Sequence, residues 1–281
     1  MSVDVEDYLH TWALSPVIRR NAWDRWPSRV EAATMRIVDL FDRHEVRATF
    51  FMLGWVARRA PLLVREIVAR GHELASHGFH HDKVHDLTPT AFLEDIRATR
   101  LLLEELGGTK VKGFRAPSFS INDGCWWAYD QLKEAGYSYS SSLHPIRHDH
   151  YGMPNAPLRP FQPVDNFLEI PVATVELFGR RVSCAGGGHF RLLPYRWSRW
   201  CLNKLAADRD RNAAFYFHPW EIDPGQPRVR GLKLRSRLRH YTGLTAMEGK
   251  LQRLLGDFRW DRMDRLYGLE AHTATTGATR L

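Results

Sequence analysis

A chain of 281 residues that is 44% hydrophobic and 12% aromatic can bury a large core, enough for one barrel-sized domain. It contains no run of about 18 apolar residues, and no basic segment leads into an apolar stretch at its start, so neither a membrane span nor an export signal is expected. The net charge of +8 points to anionic surfaces or polymers as partners, and no nucleic-acid-binding motif accompanies it.

The first predicted element is a short strand, Ser2-Val3-Asp4-Val5, running into Glu6, Asp7 and Tyr8. Three acids crowded at a strand end point to use, because an unpaired buried carboxylate is strongly penalised. Strand alternation puts Asp4 and Glu6 on one face and Asp7 on the other, unless the turn re-aims Asp7. Only Met1 to Val3 precede Asp4, little chain to anchor a central strand, so the natural protein is expected to begin a few residues earlier.

Ser28 with Glu31 reads as a capping box for a helix reaching about His44, and 46–53 reads as a strand. His77 and His81 follow within Ser-His-Gly-Phe-His-His, spaced to present both rings to one ion if the backbone makes a helical turn. His80 fits that geometry less well and is expected outside the ligand set. Thr88-Pro89 opens a helix that buries Phe92, Leu93, Ile96, Leu103 and Leu106 and stops at Gly107-Gly108. Strands are expected at 113–116, 137–140, 168–177 and 213–217. The proline-rich stretch 144–164 reads as an ordered insertion or lid, its His144, His148, Asp149 and His150 as an exposed loop. Gly186-Gly187-Gly188 reads as a turn or a loop beside the site, since no Gly-Lys-Ser/Thr follows it. The strip from Arg228 to Arg239, which has no acid, reads as a solvated face or a dock for anionic glycan or lipid. Cys125, Cys184 and Cys201 read as reduced core thiols, and the polar tail 271–281 as disordered.

Alternating strands and helices argue for a parallel α/β architecture. Asp4 to Asp7, His77 to His81, Arg115 to Ser118 and His218 each fall where a predicted strand ends, and in a parallel barrel those ends share one face. Two imidazoles and a carboxylate supply the mixed ligand set of a catalytic ion such as Zn²⁺, with one position left for water. Arg115 is placed to hold a catalytic carboxylate by a bidentate contact, and His218, at the end of an apolar strand, suits a general acid.

On these motifs the chain resembles the polysaccharide deacetylase superfamily, carbohydrate esterase family 4, the nodulation-factor deacetylase homology domain. Ser-Val-Asp-Val-Glu-Asp-Tyr, Ser-His-Gly-Phe-His-His, Arg-Ala-Pro-Ser-Phe and Phe-Tyr-Phe-His-Pro-Trp-Glu are similar to its motifs. Further stretches around Tyr151, His189 and Trp220 resemble the deacetylases associated with exosortase and PEP-CTERM export systems. The resemblance implies a distorted, incomplete (β/α) TIM-like barrel over 1–270, its subgroup-specific segment at about 145–270. It also implies one divalent ion, most simply Zn²⁺, and N-deacetylation of an exopolysaccharide; with no export signal or membrane span read in the sequence, a cytoplasmic protein or one peripheral to the inner membrane is expected. Hydrolysis of a small amide and non-catalytic carbohydrate binding are the alternatives. Either Asp4 or Glu6 serves as base and either Glu6 or Asp7 as ligand; Asp4 as base and Asp7 as ligand, with His77 and His81, is the preferred alignment. Pro117, Phe119, Tyr151 and Trp220 are the implied sugar contacts. Ser140 stands where related families tend to carry an Asp that tunes the acid histidine, so His218 either relies on another acid or functions poorly.

Overall fold

A computed structural model describes residues 1–148, 151–208 and 212–270; Asp149, His150 and the tail 271–281 lie outside the described residues. The first half of the chain alternates as expected. It runs β1 (Ser2–Val5), α1 (Val30–Arg43), β2 (Thr49–Met52), α2 (Gly54–Arg59), α3 (Pro61–Ala69), β3 (Glu73–Ser76), α4 (Pro89–Gly107), β4 (Gly113–Phe114), α5 (Ala128–Glu134) and β5 (Tyr139–Ser140). The second half adds β6 (Phe161–Val164), β7 (Phe167–Glu169), β8 (Thr174–Leu177), β9 (Arg180–Ser183), α6 (Gly187–Leu192), α7 (Tyr195–Ala206), β10 (Tyr216–Phe217), α8 (Leu234–Tyr241), α9 (Leu244–Asp257) and α10 (Met263–Leu266).

Eight strands form one sheet in the order β10-β1-β2-β3-β4-β5-β7-β6, all parallel except the β6–β7 pair. No pairing joins β10 to β6 among the described residues, so the curled sheet is an α/β half-barrel. The predicted strand at 168–177 is two strands in different sheets. Pro171, which has no N–H to donate, follows β7, and the chain leaves the main sheet to pair β8 with β9.

Side-chain alternation assigns each face. Phe50, Leu74 and Phe114 join the main core with helical residues such as Ile37 and Phe41 of α1 and Ile96 of α4. Their neighbours Phe51 and Ala75 belong to a second, small cluster with Tyr139, Ile170, Ala214 and Met263, which fills the inside of the curl. That interior is tight: a methyl group on Gly113 would lie 2.3 Å from the Tyr139 ring. At the lower end α10 closes the curl, where the backbone N–H of Met263 and Asp264 donate to Thr49 Oγ1 and Glu73 Oε2.

Candidate active site

The same alternation sends Ser2, Asp4 and Glu6 from β1, His77 from β3, Arg115 from β4, Ser141 from β5 and His218 from β10 toward the upper end of the curl. Register reinforces it: Asp4 pairs with Phe51, and Ser76 with Phe114, so Asp4 and the residues just after β3 and β4 reach one level. Convergence of strand ends on a common face is the arrangement that makes this end of a barrel reactive.

Arg115 is fully buried. Its Nη1 donates to Asp4 Oδ1 at 2.6 Å and to Ser2 Oγ at 2.9 Å, while Nε and Nη2 donate to the Ser141 carbonyl and Ser141 Oγ. The contact with Asp4 is therefore single-point rather than the bidentate one expected, because the rest of the fork is spent on Ser141. Asp4 Oδ2 remains turned toward His218 Nε2, 3.9 Å away.

His77 and His81 come together, but not on a helix. The chain leaves β3 and turns through left-handed backbone at Gly78 (φ 72°) and His81 (φ 61°), bringing the ring centroids to 5.4 Å. His77 Nδ1 donates to the Arg115 carbonyl at 2.8 Å, which leaves Nε2 with its lone pair. Burial holds this imidazole neutral, with its pKa down at about 4. His80 stays outside the group, and its carbonyl accepts from Arg20.

The carboxylate that joins the two histidines is Glu6, not Asp7. One ligand atom from each of Glu6, His77 and His81 lies within 4.8 Å of the others. Glu6 Oε2 is 2.8 Å from His81 Nε2, yet no hydrogen-bond donor is aligned on it, and it is buried. Burial opposes its charge, but His81 and His218 hold Glu6 far below the usual carboxylate range. Asp7 points away, as alternation allowed. Its Oδ1 accepts from Tyr8 N, and its Oδ2 accepts from Ser28 Oγ and from Arg29 N and Val30 N at the start of α1. The expected Ser28–Glu31 capping box is accordingly absent: a carboxylate far back in the chain caps α1, and Ser28 donates to it.

His218 Nε2 lies 3.2 Å from Glu6 Oε1, and its Nδ1 lies 3.1 Å from Glu221 Oε2. Burial alone would push its pKa down, but Glu6, Glu221 and Asp4 together raise it to about 9. Glu221 is fully buried, and its other oxygen accepts from Arg191 Nε at 3.1 Å. Arg191 in turn donates to the carbonyls of Arg239, His240 and Thr242 around the end of α8. Neither Glu221 nor Arg191 stood out in the sequence, although the His-x-x-Glu spacing at a strand end was a usable signal. Gly187 now has its reason: a Cβ there would fall 1.9 Å from Glu221 Oε2.

A cavity of about 300 Å³ opens over these groups, with Phe119, Tyr151, Trp220 and His189 in its walls. Trp220 is stacked between His218 and His240, and Tyr151 between His144 and His148. His144, expected in an exposed loop, is fully buried against Phe119 and Tyr216. Pro117, expected as a sugar contact, is buried outside the cavity wall and packs behind the Gly78 turn.

Fold and site together are those of an α/β half-barrel whose titratable groups gather at the carboxyl ends of parallel strands. The chain carries a polysaccharide deacetylase domain: residues 22–139 match the family model "Polysaccharide deacetylase", and residues 141–268 match a domain of unknown function, DUF3473. Among similar proteins, the chitooligosaccharide deacetylase of Sinorhizobium fredii is 35% identical over 118 residues, covering 40% of this chain and 49% of the relative. The peptidoglycan-N-acetylglucosamine deacetylase of Bacillus cereus is 31% identical over 104 residues, covering 37% and 47%. The chain thus spans about half the length of these relatives. In the solved structure of a nominal polysaccharide deacetylase from Mycobacterium smegmatis the fold recurs at TM-score 0.60 and 20% identity, covering 94% of this chain and 87% of that one.

Proposed function

We propose that the protein is a metal-dependent N-deacetylase that acts on N-acetylated sugar units of an exopolysaccharide, as part of an exosortase-associated assembly system. The observation that carries this reading is the convergence of Glu6, His77 and His81 on one point, with Asp4 and His218 beside it. The residues fit an ion: His77 Nε2 keeps its lone pair, Glu6 Oε2 is buried with no aligned donor, and the two-nitrogen, one-carboxylate set suits Zn²⁺. When bound, the ion supplies Lewis acidity and lowers the pKa of a water molecule toward neutrality.

The chain's own groups divide the remaining work. Arg115, itself held by Ser2 and Ser141, fixes Asp4 through Oδ1, and Oδ2 takes the proton of the attacking water. His218 carries a proton on Nε2 toward the same space and delivers it to the departing amine nitrogen as the amide C–N bond breaks. Acetate and a free amino sugar result. Glu221 keeps the His218 ring aimed by accepting from Nδ1, the task for which Ser140 has no carboxylate. Phe119, Tyr151 and Trp220 line the cavity that receives the sugar ring.

Hydrolysis of a small amide is the second reading, favoured by a cavity of about 300 Å³, at the low end for ligand sites. The test is acetate release from N-acetylglucosamine oligomers beside ring opening of allantoin, each with and without a chelator. Chelator-sensitive acetate release supports the deacetylase. Turnover of allantoin alone would replace it.

A further inference from the structure

We propose that the surface carrying α8 is a docking site for an anionic lipid bilayer. Between Asp223 and Glu248 the sequence has no acidic residue, and Arg230, Lys233 and Arg237 are exposed. Charge alone would suit any polyanion. What selects a bilayer is the pair of leucines in the middle of that charge: Leu234 is 70% exposed and Leu238 is 56% exposed. At about 100° per residue they lie about 40° apart on the helix, with Lys233 and Arg237 on one flank and Arg235 on the other. This is the pattern of a helix lying in a membrane interface, with apolar side chains inserted and cations at the headgroups.

The helix is anchored so that this face stays outward. Its one buried residue, His240, is stacked on Trp220 and bonded to Gln226 Oε1 at 2.7 Å. His240 lies about 120–160° around the helix from the two leucines. Arg191 holds the carbonyls at the helix end. Arg239 and His240 also line the cavity, together with Trp12 and Leu192, which are themselves 41% and 46% exposed. The cavity therefore lies on the side of α8 turned away from the leucines. Docking stands apart from the deacetylase reading.

The test is cosedimentation of the full chain with vesicles of phosphatidylglycerol and phosphatidylcholine, against pure phosphatidylcholine and against dextran sulfate beads. Two variants accompany it: Arg230→Gln/Lys233→Gln/Arg237→Gln, and Leu234→Ser/Leu238→Ser. Acetate release from a soluble oligomer by each variant reports on folding and on the deacetylase reading separately. The wild type is expected to bind the anionic vesicles, to leave them in high salt and to ignore the neutral ones. The cation variant is expected to bind roughly 100-fold more weakly, at about 5-fold per neutralised charge. The leucine variant is expected to lose vesicle binding while keeping dextran sulfate binding. No binding to anionic vesicles, vesicle binding unchanged in either variant, or binding to dextran sulfate alone overturns the proposal.

Discussion

At the scale of single residues, the site turns on which carboxylate does what. Asp4, Glu6 and Asp7 are chemically alike, and only strand parity and the course of the next turn separate them. Asp4 and Glu6 face the curl; Asp7 is spent on the amides that open α1. His77, His81, Arg115 and His218 were legible from residue type and position at strand ends. Glu221 was not, because its role depends on the buried turn Pro219–Ile222 and on Arg191 from α6. A prediction follows from its place. A general acid must hold its proton, so activity falls as pH rises through the His218 pKa, which Glu221 helps lift to about 9. Glu221→Gln keeps an oxygen for Arg191 but removes the charge. It is expected to lower kcat by about 10- to 100-fold and to move the alkaline limb of the pH–rate profile to lower pH. Gly187→Ala, which forces a Cβ against Glu221 Oε2, should shift the limb the same way. An unmoved limb in both variants would remove Glu221 from the mechanism.

At the scale of elements, local signals succeeded where they were strong. In α4 the Thr88 side chain accepts from Ala91 N, and the helix ends at Gly108 with φ 61°, as its sequence announced. Strands were read too long, 46–53 against the observed Thr49–Met52, because apolar composition continues past the last ladder bond. The start of α1 shows the limit of local reading. Ser28 and Glu31 satisfy a capping pattern, yet a fully buried carboxylate already fixed by β1 supplies the stronger acceptor. Asp7→Asn is accordingly expected to cost stability, about 1–3 kcal/mol for a buried charged hydrogen-bonding group, measured by denaturant unfolding. It should leave ion binding intact, whereas its loss would return Asp7 to the ligand set.

At the scale of the whole molecule, one sheet runs through both matched stretches, with β2 to β4 in the first, β6, β7 and β10 in the second, and β1 ahead of both. The candidate site draws on all three: Glu6 follows β1, His77 and His81 lie in the first stretch, and His218 with Glu221 and Arg191 lies in the second. The barrel's lower end carries a separate pH dependence. Burial, with Asp264 nearby, raises the Glu73 pKa from 4.5 to about 7. Between those values the folded state holds the proton more tightly than the unfolded chain, so this group's contribution to stability falls as pH rises from about 4.5 to 7. The melting temperature should drop across that window, and Glu73→Gln should flatten the drop; an equal drop in the variant would assign it elsewhere. The most direct measurement is acetate release from an N-acetylglucosamine oligomer as Zn²⁺ is titrated into chelated wild type, Glu6→Gln and Asp7→Asn. Saturable recovery in the wild type and in Asp7→Asn, with none in Glu6→Gln, is the predicted result. Full activity in the chelated protein, or recovery in Glu6→Gln but not in Asp7→Asn, would contradict a centre built from Glu6, His77 and His81.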